Sequence, residues 1–136
     1  MHILIVEDDL VSQIFMKTVL NKRGQCAIAS DGEEAVKLYI AAATNGCPFD
    51  VVFMDIMLPK MDGLTAIDKI REYEGSNPRH VARPTHVVVV TATEDSQNII
   101  HAYRTGDVFA YLKKPLEQNV LEATVAKITS MHAGTL

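Results

Sequence analysis

The residues of this chain with the types and positions to do chemistry together are Glu7, Asp8, Asp9, Asp55, Thr91, Lys113 and Lys114. Each closes or follows a short apolar run. Ile3–Val6 leads into Glu7-Asp8-Asp9, Val51–Met54 into Asp55, Val87–Val90 into Thr91, and Val108–Leu112 into Lys113-Lys114-Pro115. If these runs are neighbouring strands, one rim carries carboxylates, a hydroxyl and an ammonium. Carboxylates sharing a site repel one another unless a cation is present. Oxygen ligands at this density suit Mg²⁺, which takes one or two carboxylates together with waters and phosphate oxygens. Zinc would want His or Cys beside them, and none is there. Asp55 is the candidate nucleophile, since a carboxylate can accept a phosphoryl group as an acyl phosphate. Such a transfer demands mainly positioning and charge neutralisation. Lys114 offers a point charge for that purpose and Thr91 a hydrogen-bond donor. Singly, each residue has a plainer explanation: a strand-end acid turns the chain or caps a helix, a strand-end Thr bonds the backbone, a surface Lys is solvated. The coincidence of all of them at the mouths of apolar strands favours a common site.

The elements that must position them can be read from periodicity. The four runs, with a weaker fifth at Cys26–Ala29, lack polar–apolar alternation, so both faces of each strand are buried, as in parallel sheets covered by helices. Helical spacing lies between them. Val11, Ile14, Phe15, Thr18 and Val19 form a stripe that Gly24 ends. Ser30-Asp31-Gly32-Glu33 reads as a capping box before Ala35, Val36, Leu38, Tyr39 and Ala42. Leu64, Ile67 and Ile70 mark a third helix after Gly63. Glu94–Tyr103, capped by Thr93, marks a fourth with a thin apolar stripe, hence a loosely held one. Val120, Leu121, Thr124, Val125 and Ile128 mark the last. Glu74–Thr85 reads as a surface loop. Repeated βα units with right-handed crossovers predict one α/β domain, a parallel sheet with helices on both faces. In such sheets ligands bind beyond the carboxyl ends of the strands, where the candidate residues lie. The domain is expected over 1–130, with 131–136 a short tail.

Composition agrees with one globular domain. The 136 residues are 48% hydrophobic and 22% charged, with a net charge of −4, which excludes a disordered or collagen-like chain and gives no broad basic face for nucleic acid. No apolar run approaches the roughly 18–20 residues of a membrane span, and the acidic residues after Val6 do not fit a signal peptide. Two cysteines, Cys26 and Cys47, make no disulfide framework, so a cytoplasmic protein is expected. The five histidines show no metal-type spacing. His80 with Arg79 and Arg83 makes a small basic patch in the long loop, read as solvated.

Ile3-Leu4-Ile5-Val6-Glu7-Asp8-Asp9, then Val51 to Gly63 with Asp55 and Met57-Leu58-Pro59, then Val90-Thr91-Ala92, then Tyr111-Leu112-Lys113-Lys114-Pro115 together resemble the receiver domain of two-component response regulators. The blocks stand in the family's order over roughly residues 2–130. The resemblance implies a flavodoxin-like, doubly wound sheet of five parallel strands in the order 2-1-3-4-5. It implies that Asp55 is the phosphoacceptor and that Asp8, Glu7 (mostly through water), Asp55 and the backbone carbonyl of Met57 hold Mg²⁺. Lys114 would pair with Asp55 across a cis Lys114–Pro115 bond, Thr91 would contact the phosphoryl oxygen, and Tyr111 would be the switch aromatic. Asp9 is expected to cap the first helix. Met57 and Thr93 would tune dephosphorylation; neither offers a carboxylate or carboxamide to orient water, which predicts moderate to slow self-dephosphorylation. Gly106 to Tyr111 is one residue longer than the family's usual pattern, which predicts a bulge before the fifth strand.

The implied partners are a sensor histidine kinase or phosphotransfer protein and a downstream protein target, with output through the face of the Glu94–Tyr103 helix and the fifth strand. The chain would act as a phosphoacceptor and not as an enzyme, a monomer or a weak phosphorylation-dependent dimer. Two other readings compete. A phosphatase of the haloacid dehalogenase type wants a second Asp two residues after the nucleophile, where this chain has Met57. A pseudo-receiver that never takes phosphate is disfavoured by the intact set Glu7, Asp8, Asp55, Thr91 and Lys114.

Overall fold

The computed structural model describes residues 1–92 and 107–133. The apolar runs become five strands: β1 (His2–Val6), β2 (Gln25–Ala29), β3 (Val51–Asp55), β4 (His86–Thr91) and β5 (Ala110–Lys113). All neighbours are parallel, in the order β2-β1-β3-β4-β5. The helices are α1 (Leu10–Leu20), α2 (Gly32–Thr44), α3 (Gly63–Ser76) and α4 (Gln118–Ala133). The expected order and doubly wound α/β class are both found. Among the described residues no helix is long and apolar enough to cross a membrane. Thr93, the Glu94–Tyr103 segment, Gly106 and residues 134–136 lie outside the described residues.

The sheet separates two apolar layers, because successive strand residues point to opposite faces. Leu4, Val6, Val52, Met54, Val87 and Val89 face α2 and α3, where they meet Tyr39, Ala66, Ile67 and Ile70. Ile3, Ile5, Val51, Phe53 and Val88 face α1 and α4, where they meet Met16, Val19, Leu20, Leu121, Val125 and Ile128. Strands buried on both faces cannot alternate with polar residues, which is why their sequences are continuous apolar runs.

Several sequence expectations are corrected. In α1 the buried residues are Met16, Val19 and Leu20, whereas Val11 is 75% and Ile14 58% exposed. The helix carries two overlapping apolar stripes, and packing on the sheet and α4 buries the later one. The α2 cap is Asp31, which accepts from the Glu34 amide at 2.8 Å, and not Ser30. In α4, which runs to Ala133, Val120 remains exposed. Strand β5 starts at Ala110, not Val108; a bend at Phe109, whose amide donates to the Val87 carbonyl at 2.7 Å, makes its approach irregular.

The stretch read as a loop from Glu74 is helical as far as Ser76. Glu74 is buried, and its carboxylate accepts from Tyr39 Oη at 2.6 Å, the Thr85 amide at 2.7 Å and Arg71 Nη1 at 2.8 Å. Arg71 also donates to the carbonyls of Thr85 and Asp107. A charged residue at an inward position looks like a helix end in sequence, but here its charge is satisfied across α2, α3 and the segments before β4 and β5. Burial, and then the bonded Glu74 carboxylate, push the Tyr39 phenol well above its ordinary value, so it remains a donor. Tyr39→Phe removes one of these bonds to a charged group and is expected to destabilise by about 1.5–3 kcal/mol in urea unfolding. Unchanged stability would mean that the network carries no net weight.

Candidate functional site

The strand order places the carboxyl ends of β1, β3, β4 and β5 side by side. This brings Glu7, Asp55, Thr91 and Lys114 onto one rim, although they are far apart in sequence. Glu7 is 1% and Asp55 5% exposed, while Asp8 is exposed. One carboxylate oxygen from each of Glu7, Asp8 and Asp55 lies within 4.8 Å of the others.

The Lys114 ammonium enters this cluster from the β5–α4 connection. Its Nζ donates to Glu7 Oε1 at 2.6 Å and to Asp55 Oδ2 at 2.9 Å. The connection is held by the Lys114 amide, which donates to the Thr91 carbonyl at 2.8 Å, and the Lys114–Pro115 bond is cis. Burial pulls the ammonium toward neutrality, but its hydrogen bonds to Glu7 and Asp55 outweigh that and raise its pKa above the ordinary lysine value. Three carboxylates thus face one ammonium, so negative charge is left over for a further cation.

The remaining oxygens are also held. Asp55 Oδ1 accepts from the Met57 amide at 2.9 Å, and Glu7 Oε2 accepts from the Asp9 amide at 3.2 Å. Asp9 turns away from the cluster and caps α1, accepting from the Ser12 amide at 2.9 Å, as expected. That backbone bond holds its carboxyl below the usual range. Met57 is 71% exposed. Thr91 is buried at the end of β4. Tyr111 pairs in register with Val89 and packs, half-buried, against the α2–α3 layer. Burial, with a smaller contribution from Asp107, pushes its phenol up. Thr93 cannot be placed, being outside the described residues.

Other residues brace the rim. The turn after β2 leans on the loop that follows Asp55. Lys60, at φ 64°, reaches Asp31 at 3.7 Å, and a Cβ at Gly32 would overlap the carbonyl oxygen of Met61. Gly63 lies equally close to the strand, since a Cβ there would sit 2.5 Å from the Asp55 carbonyl oxygen. Overpacking against backbone forces a shift, so Gly32→Ala is expected to lower stability by about 1–3 kcal/mol in thermal or urea unfolding. Stability equal to that of the parent would mean that the Lys60–Met61 loop moves freely. The Gln13 side-chain amide donates to the Glu7 carbonyl at 2.6 Å, a contact that helical spacing alone does not predict.

Comparison with known proteins bears on this arrangement. The sequence model of the response regulator receiver domain matches residues 3–126. The osmosensing histidine protein kinase SLN1 of Saccharomyces cerevisiae is 30% identical over 134 residues, which cover 97% of this chain and 10% of that protein. The chain spans about a tenth of the length of such curated relatives. The co-crystal structure of the Saccharomyces cerevisiae histidine phosphotransfer signalling protein Ypd1 and the receiver domain of its downstream response regulator Ssk1 contains a chain with TM-score 0.82 and 25% identity. The match covers 98% of this chain and 91% of that one. A chain of the CheX–CheY–BeF3–Mg²⁺ complex from Borrelia burgdorferi matches with TM-score 0.74 and 26% identity, over 94% of this chain and 88% of that one.

Proposed function

The chain belongs to the response regulator receiver domain family, and on that premise we propose that it accepts a phosphoryl group on Asp55 from a histidine kinase or phosphotransfer protein. The observation that carries this reading is the bridge from Lys114 to Glu7 and Asp55 beside Asp8. It supplies a nucleophilic carboxylate, a fixed positive charge and an acidic pocket at one point.

The donor set is all oxygen, which fits a hard cation. Asp8, Glu7, Asp55 and the Met57 carbonyl would hold Mg²⁺, which supplies charge neutralisation when bound. In the transfer an Asp55 carboxylate oxygen attacks phosphorus and an acyl phosphate P–O bond forms. The P–N bond to the donor histidine breaks, and its electron pair stays on the imidazole, which takes a proton. Lys114 stabilises the charge gathered on the phosphoryl oxygens, and the Met57 amide holds the other Asp55 oxygen in place.

The phosphoryl group adds about −1.5 to −2 charge where Lys114 and Thr91 can respond. Lys114 follows β5 and Thr91 closes β4, so their shifts would re-pose Tyr111 on the intervening register. The response would be read by a downstream protein at that face, on a monomer or a weak phosphorylation-dependent dimer in the cytoplasm. Met57 and Thr93 would set a moderate to slow loss of phosphate to water. Incubation with Mg²⁺ and acetyl phosphate, followed by intact mass, tests the reading. The expected result is a gain of one phosphoryl group, prevented by EDTA. No gain either from acetyl phosphate or from a phosphorylated phosphotransfer protein would overturn it.

A further inference from the structure

The last register pairs of β1 are Val6 with Ala29 and Val6 with Met54, and a final ladder bond runs from the Glu7 amide to the Ala29 carbonyl at 3.0 Å. The peptide joining Glu7 to Asp8 carries two of the three acids of the pocket. Its carbonyl is gripped by a side chain, with Gln13 Nε2 donating to the Glu7 carbonyl oxygen at 2.6 Å. The same nitrogen reaches Ser30 Oγ at 3.3 Å, in the turn after β2. Gln13 is itself anchored, since its backbone amide donates to the Asp9 carbonyl at 2.9 Å in the first turn of α1. One carboxamide therefore ties the end of β1, the start of α1 and the turn before α2 together.

We infer that Gln13 is a positioning residue for metal binding, setting the direction of Asp8 through the Glu7 carbonyl. The physical link is the planarity of the peptide unit. The Glu7 carbonyl and the Asp8 amide belong to one rigid plane, so fixing the oxygen fixes the bond from which Asp8 departs. Glu7 needs less help, because both of its carboxylate oxygens are already engaged, by Lys114 and by the Asp9 amide. Asp8 is the exposed member of the trio, and its aim depends on its backbone. Acids that repel one another bind a cation tightly only when their geometry is held in advance by supporting bonds. The inference rests on the proposed Mg²⁺ pocket and deepens it.

The test is a Mg²⁺ titration of the full chain followed by backbone amide NMR shifts, with melting temperatures measured in EDTA. Gln13→Leu removes the donor at similar bulk. It is expected to weaken Mg²⁺ binding about tenfold, the lower end of the effects seen when partners of metal ligands are lost. Its Tm in EDTA is expected to stay within about 2 °C of the parent, as for a partly exposed polar substitution. Gln13→Met, of similar length and uncharged but without the donor, is expected to behave alike and serves if the leucine variant does not fold. Unchanged Mg²⁺ affinity in the variants, with or without a lower Tm, overturns the inference and leaves the pocket standing. Absence of saturable Mg²⁺ shifts in the parent, or shifts undiminished in Asp8→Asn, overturns the pocket and the inference with it.

Discussion

Asp55→Asn is expected to take up no phosphoryl group from acetyl phosphate and Mg²⁺, with labelling reduced by about three orders of magnitude or more, as when other nucleophiles are deleted. The neighbouring acids are poor substitutes. Glu7 has both oxygens engaged, one by Lys114 and one by the Asp9 amide. Asp62 caps α3 through Thr65, and Asp31 caps α2 through Glu34. The fold survives the change, because asparagine Oδ1 can still accept from the Met57 amide where Asp55 Oδ1 now does, at 2.9 Å. Removing one of three clustered charges lessens repulsion, but it also sets the amide nitrogen against the Lys114 ammonium in place of Oδ2 and leaves Glu7 to hold the lysine, so stability in EDTA should stay within about 1 kcal/mol of the parent. Lost labelling is then a chemical effect and not unfolding. Intact mass and thermal unfolding on the same sample decide it. Labelling at the parent's rate would move the acceptor elsewhere, with exposed Asp8 as the first suspect.

Lys114→Met is expected to have the largest effect on stability. Its removal leaves Glu7 and Asp55, 1% and 5% exposed, facing each other without their ammonium. Breaking one side of a buried ion pair costs about 3–5 kcal/mol. The Lys114 side chain is 26% exposed, which places the expectation near the lower figure, a fall in Tm of about 10 °C in EDTA. Millimolar Mg²⁺ should recover most of that loss, and should raise the Tm of the variant more than that of the parent, because a ligand stabilises the state it binds. An equal Mg²⁺ response in both proteins would show that the acids do not share one cation site.

The same lysine gives a pH dependence with a definite sign. Its folded-state pKa lies above the ordinary 10.5, because the bonds to Glu7 and Asp55 outweigh the opposing burial. The folded state therefore holds the proton more tightly than the unfolded chain. The stabilisation is fully present below about pH 10.5 and is lost as the pH climbs through the raised value. The parent should lose stability in that alkaline range, and Lys114→Met should lack that component of the loss. Parallel alkaline profiles would contradict the assignment.

Much of the candidate rim is legible in the sequence. Glu7, Asp8, Asp55, Thr91 and Lys114 stand at strand ends, and a parallel sheet collects its strand ends on one rim. The type of each element follows from short-range physics: apolar runs buried on both faces make β1, β3 and β4, while spacings of three and four make α2 and α3. Asp9 as a cap was equally readable, because a cap is a bond to an amide three residues away.

Other features depended on partners distant in the chain. The apolar residues of α1 allow two buried faces, and only packing on the sheet and α4 selects Met16, Val19 and Leu20 over Val11 and Ile14. Glu74 looks like a loop acid until Tyr39, Arg71 and Thr85 surround it. Gln13 is an ordinary helical glutamine until its amide meets the Glu7 carbonyl and Ser30. Gly32 is an ordinary helix-start glycine until Met61 closes on it. Which residues gather on the rim is thus set by local pattern and strand-end position. How firmly they are aimed is set by bonds and contacts between segments far apart in sequence, which no local period encodes.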